Sequence, residues 1–147
     1  MRSTFAALML LTAVSSPASA DPEKEALAVL DNWTKAFAAS DVDAILKLYA
    51  PGALFMGTGS KTVVTDPAEI RKYFENALLT RRPRGAPIND QKVVTLSDTA
   101  VLVAGLNDST GVLDGKPFSN PGRVTFVIAK GQNEWQIVHF HRSAMPK

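Results

Sequence analysis

The sequence predicts an α+β domain in which helices come first and pack on one face of a strongly curved antiparallel sheet. Two observations carry this. In three stretches between Pro22 and Leu78 apolar residues recur at intervals of three and four, the period of a helix with one buried face. After Asp90 they alternate at every second position, the period of a half-buried strand. Helical patterns followed by a run of strand patterns separate the two element types along the chain, which is the α+β arrangement. A length of 147 residues, 46% of them hydrophobic and 20% charged, suits one folding unit without repeats or linkers. Zero cysteines exclude disulfides, thiolate nucleophiles and Cys-ligated zinc. Sixteen Lys and Arg against 14 Asp and Glu leave an excess of only two positive charges, too few for a general nucleic-acid surface.

The first 20 residues carry a separate signal. Arg2 precedes an apolar run from Phe5 to Val14, and Ser15 to Ala20 are small residues that end in Ala18-Ser19-Ala20. Charged start, short apolar core and Ala-x-Ala site predict a secretory signal peptide over residues 1–20, the alternative being a buried N-terminal helix. The apolar run is shorter than the roughly 20 residues a spanning helix needs. Cleavage near Ala20 leaves residues 21–147 as one domain, exported to the periplasm or beyond, with no membrane partner expected.

Leu27, Leu30, Trp33 and Phe37 define a first helix from Pro22 to about Ala39, with Glu23 and Glu25 in the turn where the helix dipole favours acids. Ser40 with Asp43 three residues on reads as the cap of a short helix through Ile45, Leu48 and Tyr49, stopped by Pro51-Gly52. Short strands are expected at Ala53–Met56 and Thr62–Val64. Thr65-Asp66-Pro67 starts a third helix whose stripe is Ile70, Tyr73, Phe74, Ala77 and Leu78. Arg81 to Pro87 is a basic loop, read as solvated because three like charges and two prolines pack poorly, with steering of anions as the alternative. Strands then follow at Asp90–Leu96, Thr99–Leu106, Gly111–Leu113, Arg123–Lys130 and Glu134–Arg142, separated by turn clusters around Asp98, Asp114-Gly115 and Lys130–Asn133.

The stretch Ala100–Leu106 is apolar on both faces: Ala100, Leu102, Ala104 and Leu106 on one, Val101, Val103 and Gly105 on the other. Such a strand asks for cover on both sides, and the three helices supply only one. A second subunit is the expected cover, so the chain is read as its own partner in a homodimer or larger ring.

The closing run Trp135-Gln136-Ile137-Val138-His139-Phe140-His141-Arg142-Ser143 resembles the end of the association (hub) domain of calcium/calmodulin-dependent protein kinase II. Tyr73-Phe74-Glu75-Asn76, the Asp114-Gly115 turn and Gly122-Arg123-Val124 are further matches, and element order agrees from about Pro22 to Ser143. The resemblance implies a cone-shaped nuclear transport factor 2-like fold, related to SnoaL-like cyclases and steroid delta-isomerases, with a deep pocket and oligomerisation through the sheet. It also implies arginines at the positions of Arg123 and Arg142 that hold carboxylates in that pocket. Kinase activity does not carry over, because no Gly-rich ATP loop, His-Arg-Asp loop or Asp-Phe-Gly site is present.

The residues bear on that pocket directly. A hairpin turning at Lys130–Asn133 sets Arg123 opposite Phe140 and on the same face as Arg142, where two guanidiniums could grip a carboxylate or phosphate. A one-residue bulge would move one of them to the other face. His139 and His141 are expected opposite the arginines, on the face of Trp135 and Ile137, as interface or core residues; as a metal pair they would need a third ligand such as Asp98 or Asp108. Neither metal nor cofactor is expected. An isomerase of the steroid type needs a carboxylate base on the strand after the second helix, and Ala53–Gly57 has none. Tyr49 and Tyr73 could supply a phenol but fall at core spacing.

The leading reading is an exported oligomeric pocket protein, not an enzyme, that binds a small anionic, carboxylate-like ligand through Arg123, Arg142, Phe140, Tyr49 and Tyr73. No catalytic residue is assigned. A small cyclase or isomerase using Tyr49, Tyr73 or a histidine is the alternative, and a purely structural assembly module is a third.

Overall fold

A computed structural model of the chain describes residues 21–147; the expected signal peptide lies outside the described residues. Helix α1 spans Pro22–Ala39, capped by the Asp21 carboxylate on the Glu23 amide, and buries Leu30, Trp33 and Phe37. It ends where Ser40 takes a left-handed conformation, φ 54°. Ser40 is thus the stop of α1 and not the start of the next helix. Helix α2, Val42–Lys47, is capped one residue later by Asp41, whose side chain accepts from the Ala44 amide at 2.9 Å. Strand β1 follows at once, Tyr49–Met56. The expected strand at 62–64 is reduced to one bridge, Val64 with Phe55. Helix α3, Pro67–Leu78, starts at the Asp66 cap with Pro67 in its first turn and buries Ile70, Phe74 and Leu78.

Strands β2 (Ile88–Ser97), β3 (Ala100–Leu113), β4 (Lys116–Lys130) and β5 (Trp135–Ala144) complete one sheet of order β1-β5-β4-β3-β2. It is antiparallel except that β1 runs parallel to β5, so the sheet is mixed. The separate strand expected at Gly111–Leu113 is the end of β3, and β4 begins at Lys116 rather than Arg123. These two pair without interruption from Ala100↔Ala129 to Leu113↔Lys116 across the Asp114-Gly115 turn. Both turn residues have positive φ, 50° and 74°, which Asp and Gly tolerate better than other residues.

The inner face of the sheet packs against the helices. Val101, Val103, Phe126, Ile128, Ile137, Phe55 and Phe140 meet Trp33 and Phe74 there, all with at most 1–2% exposure. Ring pairs such as Phe55–Phe140 and Phe126–Phe140, both 5.1 Å between centroids, make this an aromatic core with the geometry such pairs favour. The outer face has no cover from the described chain: Leu54, Val94 and Leu106 are 47, 50 and 40% exposed.

The β4–β5 ladder contains the feature that places the site. Lys130 pairs with Trp135 and Ile128 with Ile137, but Val127 pairs with His139, leaving Val138 as an extra residue in β5. Without this bulge Arg123 would stand opposite Arg142 on one face. With it, Arg142 stands opposite Val124 and faces inward, while Arg123 stands opposite Ser143 and faces outward.

Candidate functional site

Above the aromatic core the cone opens into a cavity of about 690 Å³ between α1, α3 and the far ends of β3, β4 and β5. Its floor is Trp33, Phe37, Phe74 and Phe140. Arg142 leaves β5 into this space and is held by three neutral oxygens. Its Nε donates to Asn107 Oδ1 at 2.8 Å, Nη1 to Thr58 Oγ1 at 2.6 Å and Nη2 to the Asn120 carbonyl at 2.5 Å. Burial pushes its pKa below the usual arginine value, against the opposing influence of Tyr73 and Asp108. A guanidinium remains charged under such a shift, so Arg142 is a fixed cation in a partly dry site. Gly122 makes the room: a Cβ there would stand 2.7 Å from Arg142 Nη2.

Tyr73 lines the same cavity from α3, its ring lying over Gly57. Burial raises its pKa, with the Arg142 charge acting the other way, so the phenol is neutral at ordinary pH and available as a donor. Phe140 is part of the floor. Tyr49, by contrast, is core. Its hydroxyl accepts from Trp33 Nε1 at 3.0 Å beneath the cavity, and burial raises its pKa well above the ordinary 10.0. Of the five residues expected at the pocket, Arg142, Tyr73 and Phe140 are brought together, and Tyr49 and Arg123 are not. Arg123 is exposed on the outer face, with Nε donating to Ser143 Oγ at 3.2 Å. The expected convergence of Arg123 with Arg142 fails because the Val138 bulge reverses the facing of one partner.

The second inward guanidinium is Arg84, from the loop read as solvated. Residues 81–87 run alongside β3: Gly85 exchanges backbone bonds with Thr110, the Val112 amide donates to the Arg81 carbonyl and the Asp108 amide to the Pro87 carbonyl. This strand-like docking turns Arg84 inward and leaves it only 8% exposed. The guanidinium lies 5.3 Å from the Phe37 ring centre and 5.1 Å from that of Phe118, with Nη2 donating to Ser109 Oγ at 2.8 Å. Its Nε and Nη1, and Asn107 Nδ2, are buried without a hydrogen-bond partner. Burial first, then the Arg81 charge, lowers its pKa. The sequence signal for this residue was Gly111, where a Cβ would strike Arg84 Nη1 and stand 2.8 Å from the Phe118 ring.

His139 and His141 lie on the outer face, opposite Val127 and Thr125 of β4 and beside Leu54 and Met56 of β1. They share no face with Ile137, which the bulge leaves pointing inward. Burial and the neighbouring His141 lower the His139 pKa. Among the described residues no group of three His, Asp or Glu could hold a metal ion. Asp108 turns to Ser119, whose hydroxyl donates to its carboxylate at 2.7 Å. Among the described residues no helix is long and apolar enough to cross a membrane.

Comparison with known proteins fits this architecture. The SnoaL-like domain family matches residues 26–147. Among solved structures, a protein from Xanthomonas campestris assigned as a calcium/calmodulin dependent protein kinase II association domain is similar at 30% identity and a TM-score of 0.78, over 95% of this chain and 99% of that one. A nuclear transport factor 2-like superfamily protein from Salmonella enterica serovar Typhimurium superposes at a TM-score of 0.75 with 18% identity, over 85% of this chain and 92% of that one. A ketosteroid isomerase-like protein from Erwinia carotovora atroseptica does so at 0.73 with 17% identity, over 87% and 99%. No curated protein matches the sequence.

Proposed function

The chain belongs to the SnoaL-like domain family, and on that premise we propose that it is a pocket protein that binds a small anionic, partly apolar ligand of the carboxylate kind. The observation that carries this is the make-up of the cavity wall. Arg81, Arg84 and Arg142 line it with Tyr73 and Asn107 over an aromatic floor, and none of the described Asp, Glu or His side chains does. Cations on a partly dry wall that holds no carboxylate attract an anion more strongly than the same groups in water. An isomerase or dehydratase relying on a side-chain base needs a group that takes up a proton, and this wall offers arginines, amides, hydroxyls and a neutral phenol. That composition supports binding over proton abstraction.

Two further parts of the reading rest on other features. The uncovered apolar outer face supports association of two copies through the sheet, with His139 and His141 at that contact. The N-terminal pattern at residues 1–20 supports export.

The test is a thermal-shift screen of aliphatic and aromatic carboxylates on residues 21–147 and on Arg142→Ala. A ligand at one hundred times its Kd stabilises the folded state by about 2.7 kcal/mol, which raises Tm by several degrees. At least one carboxylate should give that rise in the wild type and lose it in Arg142→Ala. If no carboxylate gives an Arg142-dependent shift, the reading is wrong.

A further inference from the structure

The distribution of charge specifies the ligand more closely than its sign. The cavity draws three of the six described arginines and none of the 14 acids. Arg142 is bonded to an amide oxygen, a hydroxyl and a carbonyl, partners that satisfy its N–H groups without carrying a charge of their own. Arg84 is more exposed to this problem. It is nine-tenths buried between two aromatic rings, and its single hydrogen-bond partner is the Ser109 hydroxyl. A buried guanidinium without a carboxylate is costly, and proteins retain one where another group supplies the missing charge. Arg84 and Ser109 both line the cavity, so that group can reach them from inside it. Arg84 Nη2 has a second N–H beyond the one on Ser109.

We propose that the ligand carries two negative charges on one apolar body, the first neutralising Arg142 and the second Arg84. A dicarboxylate or a phosphate monoester provides this chemistry. The apolar body lies on the floor of Trp33, Phe37, Phe74 and Phe140, and Tyr73 donates its phenol proton to an anionic oxygen. The proposal rests on the anion-pocket reading above and adds the charge number and the residue that counts it. Arg84 is the specificity residue: it distinguishes a dianion from a monoanion of the same shape.

Calorimetric titration at constant ionic strength tests this with benzoate, the three benzenedicarboxylates, phenyl phosphate and uncharged benzamide. At least one dianion should bind about tenfold or more tightly than benzoate, the gain of one further charge-assisted hydrogen bond. Tightest binding by a benzenedicarboxylate identifies separated charges, and by phenyl phosphate a compact pair. In Arg84→Met that preference should collapse, the best dianion binding within about threefold of benzoate on the same variant. The empty Arg84→Met protein should melt at or above the wild-type temperature, since an uncompensated buried charge has been replaced by an apolar chain of similar length. A purely structural arginine would lower it instead. If benzoate binds in an Arg142-dependent manner and every dianion binds no better, the dianion inference fails and the anion pocket stands. If no charged probe binds better than benzamide, both fail. Should Arg84→Met not fold, the wild-type ratio of dianion to benzoate decides alone.

Discussion

Gly111 and Gly122 stand where the cavity's two inward arginines need room, and each would put a Cβ into the guanidinium it faces. Ala at either position therefore overfills the wall. Gly122→Ala should cost about 1–3 kcal/mol by overpacking, measurable as a lower denaturation midpoint, and should weaken any anion-induced shift by moving Arg142. Phe140→Ala removes a ring packed against Trp33, Phe55 and Phe126, and should cost about 3–5 kcal/mol. At this scale the pocket was only partly legible. Arg142, Phe140 and Tyr73 could be named because motif and spacing both pointed to them. Arg123 was misplaced, since strict alternation contains no sign of an extra residue in a strand. Arg84 was missed because a run of arginines and prolines reads locally as solvent-exposed, whereas the bonds that turn it inward go to β3, some 25 residues away along the chain.

Helix starts were the most legible elements, because caps are local chemistry. Asp66 and Pro67 begin α3 as their types demand, and Asp66→Ala should lower stability by about 1 kcal/mol in chemical denaturation with little effect on ligand-induced shifts. Ser40 misled for an informative reason. A small polar residue serves equally as a left-handed stop, and the cap passed to Asp41 one position on. The Asp114-Gly115 turn was equally local and was found. Strand ends were not. Pro117, Asn120 and Pro121 look like turn residues, yet β4 runs through them, because beyond Gly122 it has passed the end of β5 and forms a sheet edge, where proline is tolerated. The long β3–β4 ribbon is what carries Ser109, Asn107 and Asn120 up to the cavity mouth.

For the molecule as a whole, the sheet divides two chemistries: Arg142 facing the cavity, and Arg123 with the histidines among apolar residues facing out. His139 has a folded pKa below its ordinary 6.5, so the unfolded chain takes up a proton that the folded chain resists. Its contribution to stability is complete above about pH 6.5 and declines as pH falls below it. Melting temperature should therefore drop between pH 7 and pH 5, and His139→Gln should flatten that slope. If two copies meet through this face, the same range should shift light scattering toward the smaller species, since Arg123 shares the face and a charged His139 would be repelled by it. The fold class and the apolar character of both sheet faces were legible because they depend on period and composition. The parallel placement of β1 beside β5 was not, because it joins residues 85 to 88 positions apart through backbone bonds that leave no pattern in either.

Val138 resets the phase of β5: before it odd-numbered side chains point inward, and after it even-numbered ones do. The hairpin end and the cavity end of that strand are thereby uncoupled. A change in length of the loop at 131–134 can be taken up at Val138 while the tip of the strand keeps its orientation. A residue gained between His139 and His141 instead turns His141 inward and Arg142 outward, exchanging guanidinium for imidazole along the wall that a ligand meets. One codon at that point, with no substitution anywhere, would set an imidazole where Arg142 stood and leave Arg81 and Arg84 as the cations of the wall.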